Sequence, residues 1–280
     1  MESGGGILIT GGPGFLGRAL ARRILANNAG RLCIYSRSEH LQAQMLADFQ
    51  HDPRLRMFIG DVRDKERLQW AMESVDVVIH AAALKRIEVG QYNPEEMVKT
   101  NVQGAMNVVS AARGAGVTKV VLSSTDKAFQ PVSPYGISKA MAEAVFLAAN
   151  NTTGGKPPHF AVCRYGNVAG STGSVIPKWR AAKAAGLKVQ VTDPGCTRFW
   201  MTADQAVDLI LAAANGSGTL LIPTLPAFTV GDLAEAMELD VEIIGLPEWE
   251  KKHESLADGI SSDRAGRMTV MEIREALKSV

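Results

Sequence analysis

Two hydrophobic rhythms alternate along the first part of this 280-residue chain. Short runs that are β-branched or otherwise apolar throughout recur as ILIT (Ile7–Thr10), LCIYS (Leu32–Ser36), RMFIGD (Arg56–Asp61), VDVVIHAA (Val75–Ala82), KVVLSS (Lys119–Ser124) and FAVCRYG (Phe160–Gly166). They lack in/out alternation, which predicts strands covered on both faces. Between them, segments such as FLGRALARRILANN and NVQGAMNVVSAARGAG carry apolar residues at helical spacing. Strand–helix alternation of this kind predicts an α/β fold built on a doubly wound parallel sheet. After Gly166 the rhythm breaks. NVAGSTGSVIPKW reads as loop, and PGCTRFWMT holds too many special residues for a regular element. A strand over Thr219–Pro223, a helix from Thr229 and a terminal helix opened by a Thr269-x-x-Glu272 capping box follow. The pattern divides the chain into a main domain, 1–166, and a smaller lobe, 167–280, laid over the sheet's carboxyl edge and partly interleaved with it.

Composition narrows the class. With 46% hydrophobic residues and a formal net charge of +1, the chain can bury a large core. Its near-neutral charge argues against nucleic acid or an anionic membrane as the main partner. Cys33, Cys163 and Cys196 show neither a C-x-x-C pair nor zinc-ligand spacing, so reduced thiols, a cytoplasmic setting and no metal site are expected. The opening MESGGGILIT lacks the basic and apolar regions of a signal peptide, and no window approaches the ~18–20 apolar residues of a membrane helix.

The first chemical signal is ILITGGPGFLGRALARRIL, with Gly11, Gly14 and Gly17 directly after the first strand and opening the first helix. Glycines there permit a tight turn and close approach of backbone to a pyrophosphate, whose charge sits at the helix N-terminus. The spacing is G-x-x-G-x-x-G rather than G-x-G-x-x-G, and the strand–turn–helix context is what gives it weight. A dinucleotide-binding Rossmann domain is expected, with Phe15 and Leu16 among its cofactor contacts. The second strand ends in Ser36, Arg37 and Ser38 instead of an acidic residue. A guanidinium and hydroxyls suit a ribose 2′-phosphate, so NADP is expected over NAD. Asp61 and Val62 would flank the adenine, Ala81 and Ala82 leave room for the cofactor's backbone, and Val168 joins the expected cofactor contacts.

The second signal is SSTDKAFQPVSPYGISK, Ser123–Lys139. Tyr135 and Lys139 lie one helical turn apart and share a face. A lysine so placed can lower the phenol's pKa and hold the nicotinamide ribose, letting the tyrosine take a proton while hydride leaves the same carbon. Thr125 falls where a hydroxyl partner is expected. Asp126 and Lys127 add an acid and an amine that a simple hydride transfer does not need. His80, in an apolar strand, reads as a satisfied core histidine, and Asn101 as a structural residue bonding backbone near the site.

Glycine turn, Tyr-x-x-x-Lys and strand order together resemble the extended short-chain dehydrogenase/reductase superfamily, which acts largely on nucleotide sugars. Within it the segments IYSR, HAAALKRIEVGQYNPEEMVKTNV, LSSTDKAFQPVSPYGISKA, RYGNVAGSTGSVIPKW and TRFWMT are similar to soluble, inverting UDP-N-acetylglucosamine 4,6-dehydratases. The resemblance implies NADP, a UDP-sugar substrate and a homo-oligomer. It assigns Tyr135 to oxidation at C4, Lys127 to the base at C5, once its pKa is depressed, and Asp126 to the acid at the departing C6 hydroxyl. Residue spacing alone does not choose between Asp126 and Lys127. The resemblance also implies that Lys85, Asn167, the Thr172–Gly173–Ser174–Val175 turn and Arg198 meet the substrate. A 5,6-dehydratase, a 4-epimerase and a non-catalytic NADP-sensing protein are the alternatives. The C-terminal third departs from the family: LPEWEKKHESL has Leu246 where relatives carry a diphosphate-binding arginine, and Lys251, Lys252 or Arg198 are its possible substitutes.

Overall fold

The computed structural model describes residues 5–27 and 30–280. Strands β1 (Gly6–Thr10), β2 (Leu32–Ser36), β3 (Leu55–Ile59), β4 (Val75–His80), β5 (Lys119–Ser123) and β6 (His159–Cys163) join β10 (Leu220–Leu221) in one parallel sheet, ordered β10-β6-β5-β4-β1-β2-β3. This is the doubly wound α/β fold read from the sequence. Its order reverses between β1 and β4, where a crevice opens at the carboxyl ends. Ile7, Ile9 and Ile34 pack into one core with Leu20 and Ile24 of helix α1 (Phe15–Ala26), while Leu8, Cys33 and Val78 face the opposite core. Both faces of the central strands are therefore buried, which is why they read as unbroken apolar runs. The edge strand β3 is only half covered.

Around the sheet run α2 (Glu39–Asp48), α3 (Lys65–Ala71), α4 (Ile87–Tyr92), α5 (Pro94–Met97) and α6 (Gly104–Ala115), the last two joined through a π-helical stretch, Val98–Gln103, and then α7 (Pro134–Ala149). Beyond Gly166 the structure is more regular than the sequence suggests. NVAGSTGSVIPKW is not all loop: β7 (Asn167–Val168) opens it, and its last residues begin α8 (Val175–Ala184), with Pro177 in the first turn, where a missing N–H costs little. TRFWM within PGCTRFWMT is a fully buried strand, β9 (Thr197–Met201). It pairs in parallel with β7 and antiparallel with β11 (Ala227–Thr229), partners far away in sequence that no local pattern reveals.

The remaining elements are β8 (Val189–Val191), α9 (Ala203–Asn215), α10 (Val230–Ala236), β12 (Val241–Ile243), β13 (Ser255–Ala257), β14 (Ile260–Ser261) and α11 (Val270–Ala276). Thr229 caps α10, and the Thr269–Glu272 capping box opens α11 as expected. Trp179, Trp200, Phe228, Leu233 and Ile273 form a separate core here. Two elements cross back: β10 completes the main sheet beside β6, and α9 packs its Val207 and Ile210 beneath it. No helix among the described residues is long and apolar enough to cross a membrane.

Candidate active site

The glycine turn is built for close approach. Gly11 has φ +71°, and a Cβ there would lie 2.9 Å from the Ala82 backbone. At Gly17 a Cβ would sit 2.3 Å from the Gly12 carbonyl oxygen, so only glycine lets α1 begin this near β1. Gly14 is the N-cap of α1 and offers no side-chain cap, and no acidic residue occupies the first turn. Open N–H groups at a twelve-residue helix, beside a backbone approach without side chains, fit a dinucleotide pyrophosphate. Ala82 N–H is tied to Thr10 Oγ1, whose hydroxyl also meets His80 Nδ1 at 2.7 Å. Burial pushes His80 down to about 3, with the Lys139 charge adding to it, so the ring is neutral and structural.

At the end of β2 only Arg37 is free to reach outward. Ser38 Oγ caps α2 by accepting from Leu41 N–H, and Ser36 Oγ accepts from Gln42. Arg37 Nη1 lies 3.9 Å from Asp61 Oδ2. Arg63 binds the same carboxylate at 2.7 Å. Burial alone would raise Asp61, but its bonds to Arg63 outweigh that and hold the carboxyl below its ordinary range.

The strands stop earlier than their apolar runs. Asp61, Ala81, Ala82 and Ser124 lie just past the ends of β3, β4 and β5, in the loops that line the crevice. Beyond β5, Thr125 caps a single 3-10 turn, Asp126–Ala128, and Ser133 caps α7 by accepting from Gly136 N–H at 3.1 Å. A Cβ on Gly136 would lie 2.3 Å from the Lys127 carbonyl oxygen, so this glycine allows the first turn of α7 to pack on the Asp–Lys turn. Tyr135 is thereby brought against Thr125, Asp126 and Lys127, while Lys139 reaches the end of β5 at Ser123. Asn101, in the π-helical stretch, donates to Leu84 O and Ser138 Oγ and accepts from Leu84 N–H, fixing the loop after β4 to α7.

The electrostatics differ from expectation at two points. Lys139 Nζ donates to Ser123 O at 2.8 Å, and burial brings its amine down to about 8, with Glu143 opposing. Burial pushes Tyr135 up to about 12, and the cation that opposes this is Lys127, not Lys139. The second point is Lys127 itself. Burial would depress its amine as expected, yet the Asp126 and Glu254 carboxylates outweigh burial and hold it above the ordinary lysine value. Its Nζ lies 3.0 Å from Asp126 Oδ1, 3.2 Å from Glu254 Oε1 and 3.3 Å from Asn167 Oδ1. Asp126 is fully buried, and Thr125 Oγ1 donates to its Oδ1 at 2.9 Å, while Oδ2 has no hydrogen-bond partner among the described residues. Burial raises its pKa, which favours a neutral acid.

Glu254 was not visible as a site residue in the sequence. It comes from LPEWEKKHESL, the segment set aside as divergent. Strand-like contacts strap this segment to β9: Thr197 pairs with His253, and Ser262 Oγ bridges Thr197 Oγ1 and Glu254 N–H. The same strap engages the cations proposed to replace the missing arginine. Lys251 Nζ lies 2.7 Å from Glu254 Oε2, an ion pair without an aligned hydrogen bond, and donates to Phe129 O. Lys252 pairs with Asp193 at 3.0 Å. Arg198, expected at the substrate, is buried and spends its guanidinium on Glu250, Thr197 O and Lys252 O. Lys85 remains exposed after β4. The turn Thr172–Gly173–Ser174–Val175 opens α8 without a side-chain cap bond, and its Gly173 lies beside the Arg86 guanidinium.

The polysaccharide biosynthesis protein family matches residues 7–275. A Campylobacter jejuni protein named UDP-N-acetylglucosamine 4,6-dehydratase (inverting) is 44% identical over 263 residues, covering 92% of this chain and 78% of that protein. A Rickettsia massiliae protein named UDP-glucose 4-epimerase is 38% identical, covering 89% and 76%. Among solved structures, Pen from Bacillus thuringiensis superposes with a TM-score of 0.94 at 31% identity, over 99% of both chains. DesIV from Streptomyces venezuelae, a dTDP-glucose 4,6-dehydratase with NAD bound, has the same fold, with a TM-score of 0.82 at 24% identity and coverage of 98% and 96%.

Proposed function

This chain belongs to the polysaccharide biosynthesis protein family of extended short-chain dehydrogenase/reductases, and we propose that it is an NADP-dependent, inverting UDP-N-acetylglucosamine 4,6-dehydratase. The observation that carries the reading is the pair of buried Asp126 and part-buried Lys127 packed against Tyr135, on a sheet whose first strand runs into a dinucleotide-type glycine turn. The 44% identity to a protein of that name supports it. Arg37, free at the end of β2, supports NADP over NAD.

As the phenolate, Tyr135 takes the proton of the C4 hydroxyl, with Thr125 beside it. A bound nicotinamide dinucleotide supplies the hydride acceptor at C4 and the donor at C6. Once C4 is a ketone, the C5 proton is acidic, because the carbanion delocalises into the carbonyl. With the proton of the pair on Asp126 and not on Lys127, the free Lys127 amine removes the C5 proton, and neutral Asp126 protonates the departing C6 hydroxyl. Reprotonation at C5 from the opposite face, with a proton drawn from solvent, sets the inverted centre. With Asp126 neutral, the cations Lys127, Lys251 and Arg198 outnumber the carboxylates Glu250 and Glu254 by one, a balance that favours a developing enolate. Lys85 and the 172–175 turn hold the diphosphate, and Asn167 orients Lys127.

Three buried free cysteines support a reducing, cytoplasmic setting. Exposed Val98, Met106, Ile137 and Met141 on the neighbouring α5–α7 surface support a homo-oligomer.

Incubation with UDP-N-acetylglucosamine should give a 4-keto-6-deoxy sugar nucleotide by NMR, carrying solvent deuterium at C5 in D2O. An exocyclic 5,6-alkene would make the chain a 5,6-dehydratase and a C4-inverted sugar an epimerase. No turnover of any UDP- or TDP-hexose would refute the enzymatic reading.

A further inference from the structure

The Lys127 amine is surrounded by groups from four parts of the chain. Asp126 adjoins it in the 3-10 turn, Tyr135 faces it from α7, and Asn167 reaches it from β7. The strap after β12 supplies Glu254, and behind Glu254 stand Lys251 and, from β9, Arg198. Glu254 is 1% exposed. Its backbone is held on both sides by Ser262, which donates N–H to Glu254 O at 2.8 Å and accepts from Glu254 N–H at 2.9 Å. Thr197 and His253 anchor the same segment through a hydrogen bond of 2.8 Å. A carboxylate placed this deeply, on a fixed backbone, with one oxygen on the amine assigned to proton abstraction, does more than close a loop.

We propose that Glu254 is a positioning residue for the dehydration step: its carboxylate clamps the Lys127 amine between Asp126 and Asn167 and sets the pH at which that amine becomes free to accept a proton. This deepens the dehydratase reading and rests on it. Both carboxylates favour the charged amine, and Asp126 is the weaker contributor whenever it is neutral. Glu254 is therefore the lasting counter-charge. Burial works against its own charge, but Lys127, Lys251 and Arg198 bring its carboxyl down to about 2, so it stays ionised across any working pH. Without it, burial dominates at Lys127 and the free amine forms at lower pH.

The test uses Glu254→Gln, which keeps the shape and removes the charge. Two readouts are compared at fixed pH values between 7 and 10 on folded protein: the rate of Lys127 acetylation by acetic anhydride, located by mass spectrometry, and kcat/KM for UDP-N-acetylglucosamine. The labelling needs no substrate, so it stands even if the dehydratase reading fails. Removing an opposite charge at this distance raises the free-amine fraction at a given pH by about tenfold or more, so the Lys127 labelling rate is expected to rise by about that factor. The limb of kcat/KM that requires a free base should move to lower pH with it. Should Glu254→Gln not fold, Glu254→Asp draws the charge back by one methylene and is expected to change both readouts in the same direction, by less. A labelling rate unchanged in the folded variants would overturn the proposal. Turnover lost with an unchanged labelling rate would reduce Glu254 to a structural tether and overturn it equally.

Discussion

Arg37 shows how much one side chain decides. Its side chain is 57% exposed, and its contact with Asp61 is long, at 3.9 Å. Asp61 does not depend on it, because Arg63 already donates to the same carboxylate from its backbone and guanidinium. Arg37 can therefore turn to a 2′-phosphate without leaving a buried charge unpaired. A charge-assisted contact of this kind contributes about 1.5–3 kcal/mol. Arg37→Ala should weaken NADP+ binding by at least about tenfold and leave NAD+ within about twofold, measured by calorimetry. Equal loss for both cofactors would remove Arg37 from the 2′-phosphate. At this scale the sequence was informative where neighbours in the chain are neighbours in space. Tyr135, Lys139, Thr125, Asp126 and Lys127 all lie in one stretch and are found together. Glu254 lies more than a hundred residues away, in a segment with no helical or strand period, and only the strap onto β9 brings it to Lys127. Arg198 is drawn inward for the same reason: the strap that supplies Glu254 also supplies Glu250, its partner.

At the level of elements, the glycines separate those that shape the site from those that merely connect. Gly17 is the sharpest case, since any side chain there meets the backbone of Gly12. Overpacking of this kind costs about 1–3 kcal/mol, which in a chain of this length lowers Tm by about 2–10 °C. Gly17→Ala should show that loss by calorimetric scanning and also weaken dinucleotide binding, because α1 is displaced from the turn. Gly266→Ala is the control: an added methyl meets nothing within 4 Å, and Tm should stay within about 1 °C. A Gly17→Ala protein with unaltered Tm and affinity would mean that the first turn of α1 tolerates movement. The strand runs were legible because both faces are buried. Those of β3, β4, β5 and β6 continue past the last ladder bond into the loop that follows, through Gly60–Asp61, Ala81–Ala82, Ser124 and Arg164–Gly166. Strand β9 was not legible, because what makes it a strand is pairing with β7 and β11, not any rhythm of its own.

The whole molecule couples these parts through α7. One face of this helix carries Tyr135 and Lys139; Glu143, one turn further, is buried beside Arg164 and accepts from Ser124 Oγ. Arg164 also donates to Leu256 O, so the C-terminal strap and the helix that carries Tyr135 share one anchor. The opposite face leaves Ile137 and Met141 at 56% and 51% exposure, with Val98 and Met106 exposed on the adjoining helices. Apolar side chains clustered on neighbouring helices are expensive to leave in water, and a second copy of the same surface is a partner that covers both at once. Burying the outer face of α7 would also stiffen the helix that presents Tyr135. The double variant Ile137→Glu/Met141→Glu places charge on that surface without touching the site. Light scattering should find a single-chain mass near 29.9 kDa for the variant and a multiple of it for the unaltered protein. Turnover should fall with dissociation if the partner braces α7, and recover at concentrations that restore the oligomer. A variant that remains oligomeric would assign the contact to another face, and a wild-type protein that is monomeric at all concentrations would leave α7 braced by the strap alone.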